Sequence, residues 1–274
     1  MSSKTSFDPS RGAALITGGS SGIGLAFSRE LAARGYDLII ASRDNGKLTE
    51  AAADLQKEFG VKVEAIRLDL ADRANVEKLV ERITDKERPV DVVVNNAGFA
   101  LHNSLLDTDT SLQESAMEVM ATAVLILSGA AARTMKQRSH GAIINVSSQS
   151  AWLFAGNYSA IKRWVVIYTE SLALELANTG VRTTAVCPGW VKTGFHATGG
   201  VNRPNIPKWV WIEPEEVVRT ALRAIDRGQV VSVPTLRWRV IIFFTRHFRW
   251  LSRKISRKLI SRRIKELDER DDRE

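Results

Sequence analysis

Seven short runs rich in apolar and β-branched residues recur along the chain: "AALIT" (13–17), "DLIIA" (37–41), "KVEAI" (62–66), "VDVVV" (90–94), "AIINVS" (142–147), "RTTAV" (182–186) and "QVVSV" (229–233). Between them lie longer stretches of Ala, Leu, Glu, Lys and Arg at helical spacing, such as "GLAFSRELAARG" and "LTEAAADLQKEFG", the second closed by a glycine where helices commonly end. A strand that is apolar on both faces must be covered on both, and a parallel neighbour is reached through a crossover helix. The alternation predicts an α/β fold, a single-domain Rossmann-like doubly wound parallel sheet of about seven strands. With 274 residues, 44% of them hydrophobic, the chain can bury one large core. Residues 1–11 read as an N-terminal tail, 12–235 as the domain and 236–274 as a basic helical extension.

The stretch "LITGGSSGIGLAFSRELAARG" sets Gly18, Gly22 and Gly24 between the first strand and the first helix. Glycines there permit a tight turn and close backbone approach, so the free amides of the helix N-terminus can meet a pyrophosphate. The second strand ends "IIASRDN". An acid at that point suits the ribose 2′-hydroxyl of NAD, whereas a basic side chain suits a 2′-phosphate. Ser42 stands at the usual acid position and Arg43 follows, which favours NADPH/NADP+ over NADH; the alternative leaves Arg43 solvated and gives the ribose to Asp44.

In "NYSAIK" a tyrosine precedes a lysine by four residues, so on a helix Tyr158 and Lys162 share a face. A phenol with its ordinary pKa near 10 is a neutral acid at neutral pH, and a nearby ammonium draws that pKa toward the working range.

The T-G-x-x-x-G-x-G turn at 17–24, "LDLAD" around Asp69, "NNAG" at 95–98, "INVSS" at 144–148, "YSAIK" at 158–162 and "PGWVKT" at 188–193 occur in one order. In this the chain resembles the short-chain dehydrogenase/reductase family over residues 12 to 233. The resemblance implies an oxidoreductase acting on CH–OH and C=O groups, with Ser148, Tyr158 and Lys162 catalytic and Ser148 fitting the family's serine better than Ser147. It implies cofactor contacts from Thr17, Gly18, Ser20, Ser21, Gly22, Ile23, Gly24, Ser42 and Arg43 on the nucleotide side. Asp69 and Leu70 would lie near the adenine, Asn95, Ala97 and Gly98 near the ribose, and Pro188, Gly189, Val191 and Thr193 near the nicotinamide, with Tyr158 and Lys162. The region "PKWVWIEPEEVVRTALRAIDRGQVVSVP" is similar to the substrate side of reductases of long-chain 3-oxoacyl and mycolate-type keto-lipids. A hydrophobic keto or hydroxy substrate and a homodimer or homotetramer through the helix bearing Tyr158 follow from the same resemblance.

Two departures from the family pattern stand out. Met120 occupies the place of an asparagine that supports a proton-relaying water, and a thioether cannot hold that water. Ser148 and Tyr158 are only ten residues apart, so the loop carrying Trp152, Leu153 and Phe154 is short and forms an apolar substrate wall, unless those side chains join the core. Met120 motivates a second reading, a low-turnover NADP(H)-binding sensor or membrane-associated scaffold. The stretch 196–216, with three prolines and two tryptophans, reads as a substrate loop.

Residues 237–265 carry eleven Lys and Arg and no acid, while 266–274 are acidic and the body is nearly neutral. Trp238, Phe243, Phe244, Phe248 and Trp250 interleave with those cations, and Leu251, Ile255, Leu259, Ile260 and Ile264 recur at helical spacing. Such a segment suits the surface of an anionic membrane, a docking site on the protein's own surface or a subunit interface, and least of all nucleic acid. With one cysteine, Cys187, no intrachain disulfide can form, and Cys187 reads as a small buried side chain in a reducing compartment. The expected location is cytoplasmic, peripheral at the inner face of the cell membrane if 236–265 engages lipid. His102, His140, His196 and His247 lack ligand-like spacing, so no metal site is expected.

Overall fold

A computed structural model of the protein describes residues 12–193 except 102, and 207–261 except 249, 258 and 259. The N-terminal tail, His102, most of the 196–216 loop, Leu259, Ile264 and the acidic terminus lie outside the described residues.

The strands are β1 (Ala13–Thr17), β2 (Leu38–Ser42), β3 (Val63–Arg67), β4 (Val90–Asn95), β5 (Gly141–Val146), β6 (Val181–Val186), β7 (Trp190–Val191), β8 (Trp211–Ile212) and β9 (Val231–Ser232). Seven of them form one parallel sheet in the order β3-β2-β1-β4-β5-β6-β9, and β7 pairs with β8 apart from it. All the expected runs except the last match to within one residue; β9 keeps only the two residues that face Ala185 and Val186 of β6.

The helices are α1 (Gly22–Ala33), α2 (Asn45–Phe59), α3 (Arg73–Thr84), α4 (Ser111–Met117), α5 (Ala123–Arg138), α6 (Asn157–Glu175), α7 (Pro214–Asp226) and α8 (Leu236–His247). Local signals explain several boundaries. Asp44 caps α2 by accepting from the Lys47 amide, Asp72 caps α3 by accepting from the Ala74 amide, and Pro214 opens α7 where no helical amide partner is needed. α1, α2 and α7 cover one face of the sheet through Phe27, Leu31, Leu48, Leu55, Val217 and Leu222. α3, α5 and α6 cover the other through Leu79, Ile83, Leu127, Met135, Ile161 and Leu172. Burying a Leu or Phe of this kind contributes roughly 1.5–3 kcal/mol.

α4 and α5 join through a π-helical turn at Glu118–Thr122, so Ser111–Arg138 runs as one 28-residue helix. By length and composition it could cross a membrane, its most apolar 18-residue stretch having mean hydropathy 1.6, but 56% of that stretch is buried inside the protein, as in a core helix.

Candidate active site

Strand order reverses between β1 and β4, and such a reversal opens a crevice at the carboxyl ends of the strands. The glycine turn follows β1 into that crevice. Gly18 has φ +66° and Gly22 φ +53°, and a Cβ on Gly24 would lie 2.1 Å from the Gly18 oxygen. The turn therefore closes only around glycine. Asn96 Nδ2 donates to the Thr17 oxygen at 2.9 Å, and the amides of Asn96 and Ala97 each donate to Thr17 Oγ1 at 3.0 Å. These bonds tie the ends of β1 and β4 together. Ser20 is buried, Ile23 half-buried and Ser21 exposed; Ser21 stands at the N-cap of α1, where its side chain makes no capping bond. Thr193 faces the turn, its Cγ2 3.2 Å from where a Gly22 Cβ would sit. An uncapped helix N-terminus above a cradle that any Cβ would fill fits a dinucleotide phosphate.

Beyond β2, Ser42 is half-buried and the exposed Arg43 reaches toward Asp69, Nη1 to Oδ2 3.7 Å, with its guanidinium 6.0 Å from the Phe99 ring centre. Asp69 Oδ1 accepts from the Ala71 amide, and Leu70 is buried behind it. The Lys47 amide that Asp44 accepts from holds the Asp44 carboxyl below the usual range, so Asp44 is engaged as a cap. The Asn95 side-chain amide lies in the core. Its buried amide donates to Asn145 Oδ1 and Ser128 Oγ, and Asn145 passes on to Thr169, a network inside the core rather than in the crevice. The neighbouring Asn96, which the sequence reading did not single out, holds the glycine turn.

α6 presents the reacting groups. Tyr158 shares a hydrogen bond with Ser148, and Lys162 Nζ lies 5.7 Å from the Tyr158 ring centre while donating to the Val146 oxygen at 2.9 Å. Ser148 Oγ also accepts from the Ser150 amide, which fixes it at the end of β5. Ser147 is spent on packing, donating to the Lys162 oxygen at 2.7 Å, so of the two serines Ser148 is the one that meets Tyr158. Burial pushes the Tyr158 phenol up to about 12, and the Ser148 hydrogen bond pulls against it. Burial brings Lys162 down to about 8. Desolvation acts on both groups and favours their neutral forms, so the expected lowering of the phenol by the lysine charge is not what sets Tyr158 here.

The short chain dehydrogenase family model matches residues 12–201. The chain belongs to the short-chain dehydrogenase family. It is 31% identical over 223 residues to an uncharacterized oxidoreductase of Staphylococcus saprophyticus, a match covering 80% of this chain and 93% of the relative. It is 36% identical over 185 residues to a Streptomyces virginiae protein named for ketoacyl reduction in a monensin polyketide synthase, covering 66% of this chain and 70% of that one. Among solved structures, a short-chain dehydrogenase from Sphingobium yanoikuyae in complex with NADPH superposes with TM-score 0.77 at 32% identity, over 84% of this chain and 92% of that one. As a member of this family the protein is an oxidoreductase of CH–OH and C=O groups.

Within that family frame, Met120 is fully buried in the π-helical turn, and a Cβ on Gly98 would lie 2.9 Å from its Sδ and 3.8 Å from Lys162 Nζ. The thioether thus fills the space behind the lysine. Cys187 is buried close by, and burial pushes its thiol up to about 12, so it stays neutral. Among the described residues no group of three or more His, Cys, Asp or Glu could hold a metal.

Of the residues expected near the nicotinamide, Gly189 meets the C-terminal extension. The Pro188 oxygen accepts from the Gln149 amide, and buried Val191 pairs with Ile212. Gly189 lies directly under Trp238 of α8, where an added Cβ would come within 2.0 Å of the indole ring. Trp152 is buried with Val166, Cys187 and Ile242, so it joins the core, while Phe154 stays exposed. The inner face of α8 is Trp238, Ile242 and Thr245, and its outer face carries exposed Val240, Phe243 and Phe244. The extension therefore docks on the protein's own surface through one side and leaves aromatic side chains on the other. Leu251 and Ile255, expected to lead its apolar face, are only half-buried, whereas Ser252 and Ser256 are buried. The four-residue spacing of those two serines was the one sequence signal available for them.

Proposed function

We propose that the protein is an NADP(H)-dependent reductase that interconverts a ketone and a secondary alcohol on a hydrophobic, long-chain acyl-type substrate. The observation that carries this reading is the Ser148–Tyr158 hydrogen bond beside the buried Lys162, at the mouth of a crevice with a glycine phosphate cradle. A bound nicotinamide would supply the hydride. The chain's own residues would do the rest: the glycine turn holds the pyrophosphate, Arg43 meets a 2′-phosphate, Ser148 orients the substrate oxygen and Tyr158 donates its proton. Lys162, when protonated, stabilises the phenolate left behind. The NADPH named with the Sphingobium structure supports the cofactor, and the ketoacyl name of the Streptomyces relative supports the substrate class.

Exposed Trp164, Ile167 and Leu174 on α6, with Leu125 on α5, support self-association through these helices. The outer face of the extension, Phe243, Phe244, Phe248 and Trp250 among exposed Arg239, Arg246, Arg253, Lys254 and Arg257, supports peripheral contact with an anionic membrane at the cytoplasmic face. Phe243→Ser with Trp250→Ser is expected to release most of the chain from anionic vesicles at low salt, and equal co-sedimentation of variant and parent would sink the membrane contact.

Buried Met120 favours a second reading, a slow cofactor-binding sensor or scaffold. NADPH consumption with a panel of apolar ketones separates the two. Turnover that falls about 10²–10⁴-fold in Tyr158→Phe, with NADPH affinity retained, supports the enzyme. Tight NADPH binding with no turnover on any ketone supports the scaffold.

A further inference from the structure

The loop between Ser148 and Tyr158 begins with a 3-10 turn at Gln149–Trp152, where the Ala151 amide donates to the Ser148 oxygen, the Leu153 amide to the Ser150 oxygen and the Gln149 amide to the Pro188 oxygen. Two main-chain groups of the loop are met instead from far along the sequence. Ser252 Oγ donates to the Trp152 oxygen, and Ser256 Oγ accepts from the Phe154 amide at 2.8 Å. Both serines lie in the helical stretch 250–257 that follows α8, one turn apart on one face, and both are buried, 1% and 2% exposed. A buried hydroxyl without a partner is costly, so the loop's main-chain groups satisfy both serines where they are buried. α8 reinforces the seat, with Trp238 over Gly189 and Ile242 against Ala151 and Trp152.

We propose that the C-terminal extension is a positioning and specificity element of the substrate wall: Ser252 and Ser256 clamp the Trp152–Phe154 main chain and fix its place relative to Ser148 and Tyr158. The clamp lies beyond the 12–201 stretch shared with the family model, so the pocket is shaped from outside the common core. Long apolar ketones, which must lie along that wall, depend on it; small ketones, which reach only Ser148 and Tyr158, do not. The same helices carry the aromatic and basic outer face, so their inner side would read out on the loop whatever the outer side engages.

The proposal rests on the ketone-reductase reading for its kinetics, and amide exchange tests it separately. In the full chain, Ser252→Ala with Ser256→Ala is expected to raise KM for 2-decanone on the order of tenfold, while kcat, KM for acetone and NADPH affinity stay within about twofold. In Ser256→Ala alone, exchange of the Phe154 amide is expected to accelerate on the order of tenfold while the interior amides of α6 hold their rates. Wild-type KM for 2-decanone in the double variant, or unchanged Phe154 exchange in the single one, would overturn the clamp. If the parent reduces no ketone but Phe154 loses protection in Ser256→Ala, the clamp stands and the reductase reading fails.

Discussion

The two sides of the crevice are built by different means. On the nucleotide side, backbone and short polar ties do the work: Gly24 fits against the Gly18 oxygen, and Thr17 and Asn96 lash β1 to β4. On the substrate side, bulky side chains from distant segments meet, with Trp238 on Gly189 and the helical stretch 250–257 on the 149–154 loop. A phosphate asks for the same backbone in every chain that binds it, so that side is written as a local motif. A substrate wall asks only for a shape, which packing across the fold can supply from anywhere.

The sharpest way to break this contrast is Trp238→Ala. Removing a buried indole is expected to destabilise the protein by about 3–5 kcal/mol, read as a lower midpoint in urea unfolding. Under milder conditions the folded variant should still bind NADPH through the glycine turn and Arg43, although Gly189, expected near the nicotinamide, loses the indole that covers it. Loss of NADPH binding in the folded variant would erase the distinction between the two sides.

That contrast also accounts for what could be read in the sequence. The seven strands were legible because each is a short run rich in apolar and β-branched residues, and β9 contracted because only Val231 and Ser232 pair in register with β6, while the Gln229 and Val230 oxygens meet it through Thr184 and the Ala185 amide. The glycine turn at Gly18, Gly22 and Gly24 and the shared face of Tyr158 and Lys162 were legible because spacing fixes both geometries. The side chain of Asn95 turns toward Asn145, Ser128 and Thr169 in the core, a network that motif position does not reveal. β7 and β8 are too short to leave a pattern. Ser252 and Ser256 were missed because apolar periodicity pointed to Leu251 and Ile255, and hydrogen bonds spanning about a hundred residues leave no local trace.

Smaller effects sharpen the nucleotide side. Arg43→Ala is expected to weaken NADPH relative to NADH by about 10–100-fold, the loss of a charge-assisted contact, measured by cofactor titration. Titration of the site gives a further check. Tyr158, at about 12, stays protonated through the working range, and Cys187, also about 12, stays neutral. Lys162, brought down to about 8, is the group that loses its positive charge as pH rises, so kcat/KM for ketone reduction should be level below that value and fall above it, by roughly tenfold per unit. A profile level to pH 10 would remove the Lys162 charge from the reaction. The smallest effect belongs to Met120→Leu, which keeps the volume behind Lys162; rates should stay within about twofold, and a larger loss would give the thioether a part in proton supply.

The central claim is that cofactor choice and substrate choice are set by separate parts of the molecule. The most direct test is a steady-state kinetic comparison of the parent, Arg43→Ala, the Ser252→Ala/Ser256→Ala pair and all three substitutions together. Arg43→Ala should move only KM for NADPH, the serine pair only KM for 2-decanone, and the combination should show both shifts undiminished. A pair that moves the NADPH constant as strongly as the ketone constant would contradict it.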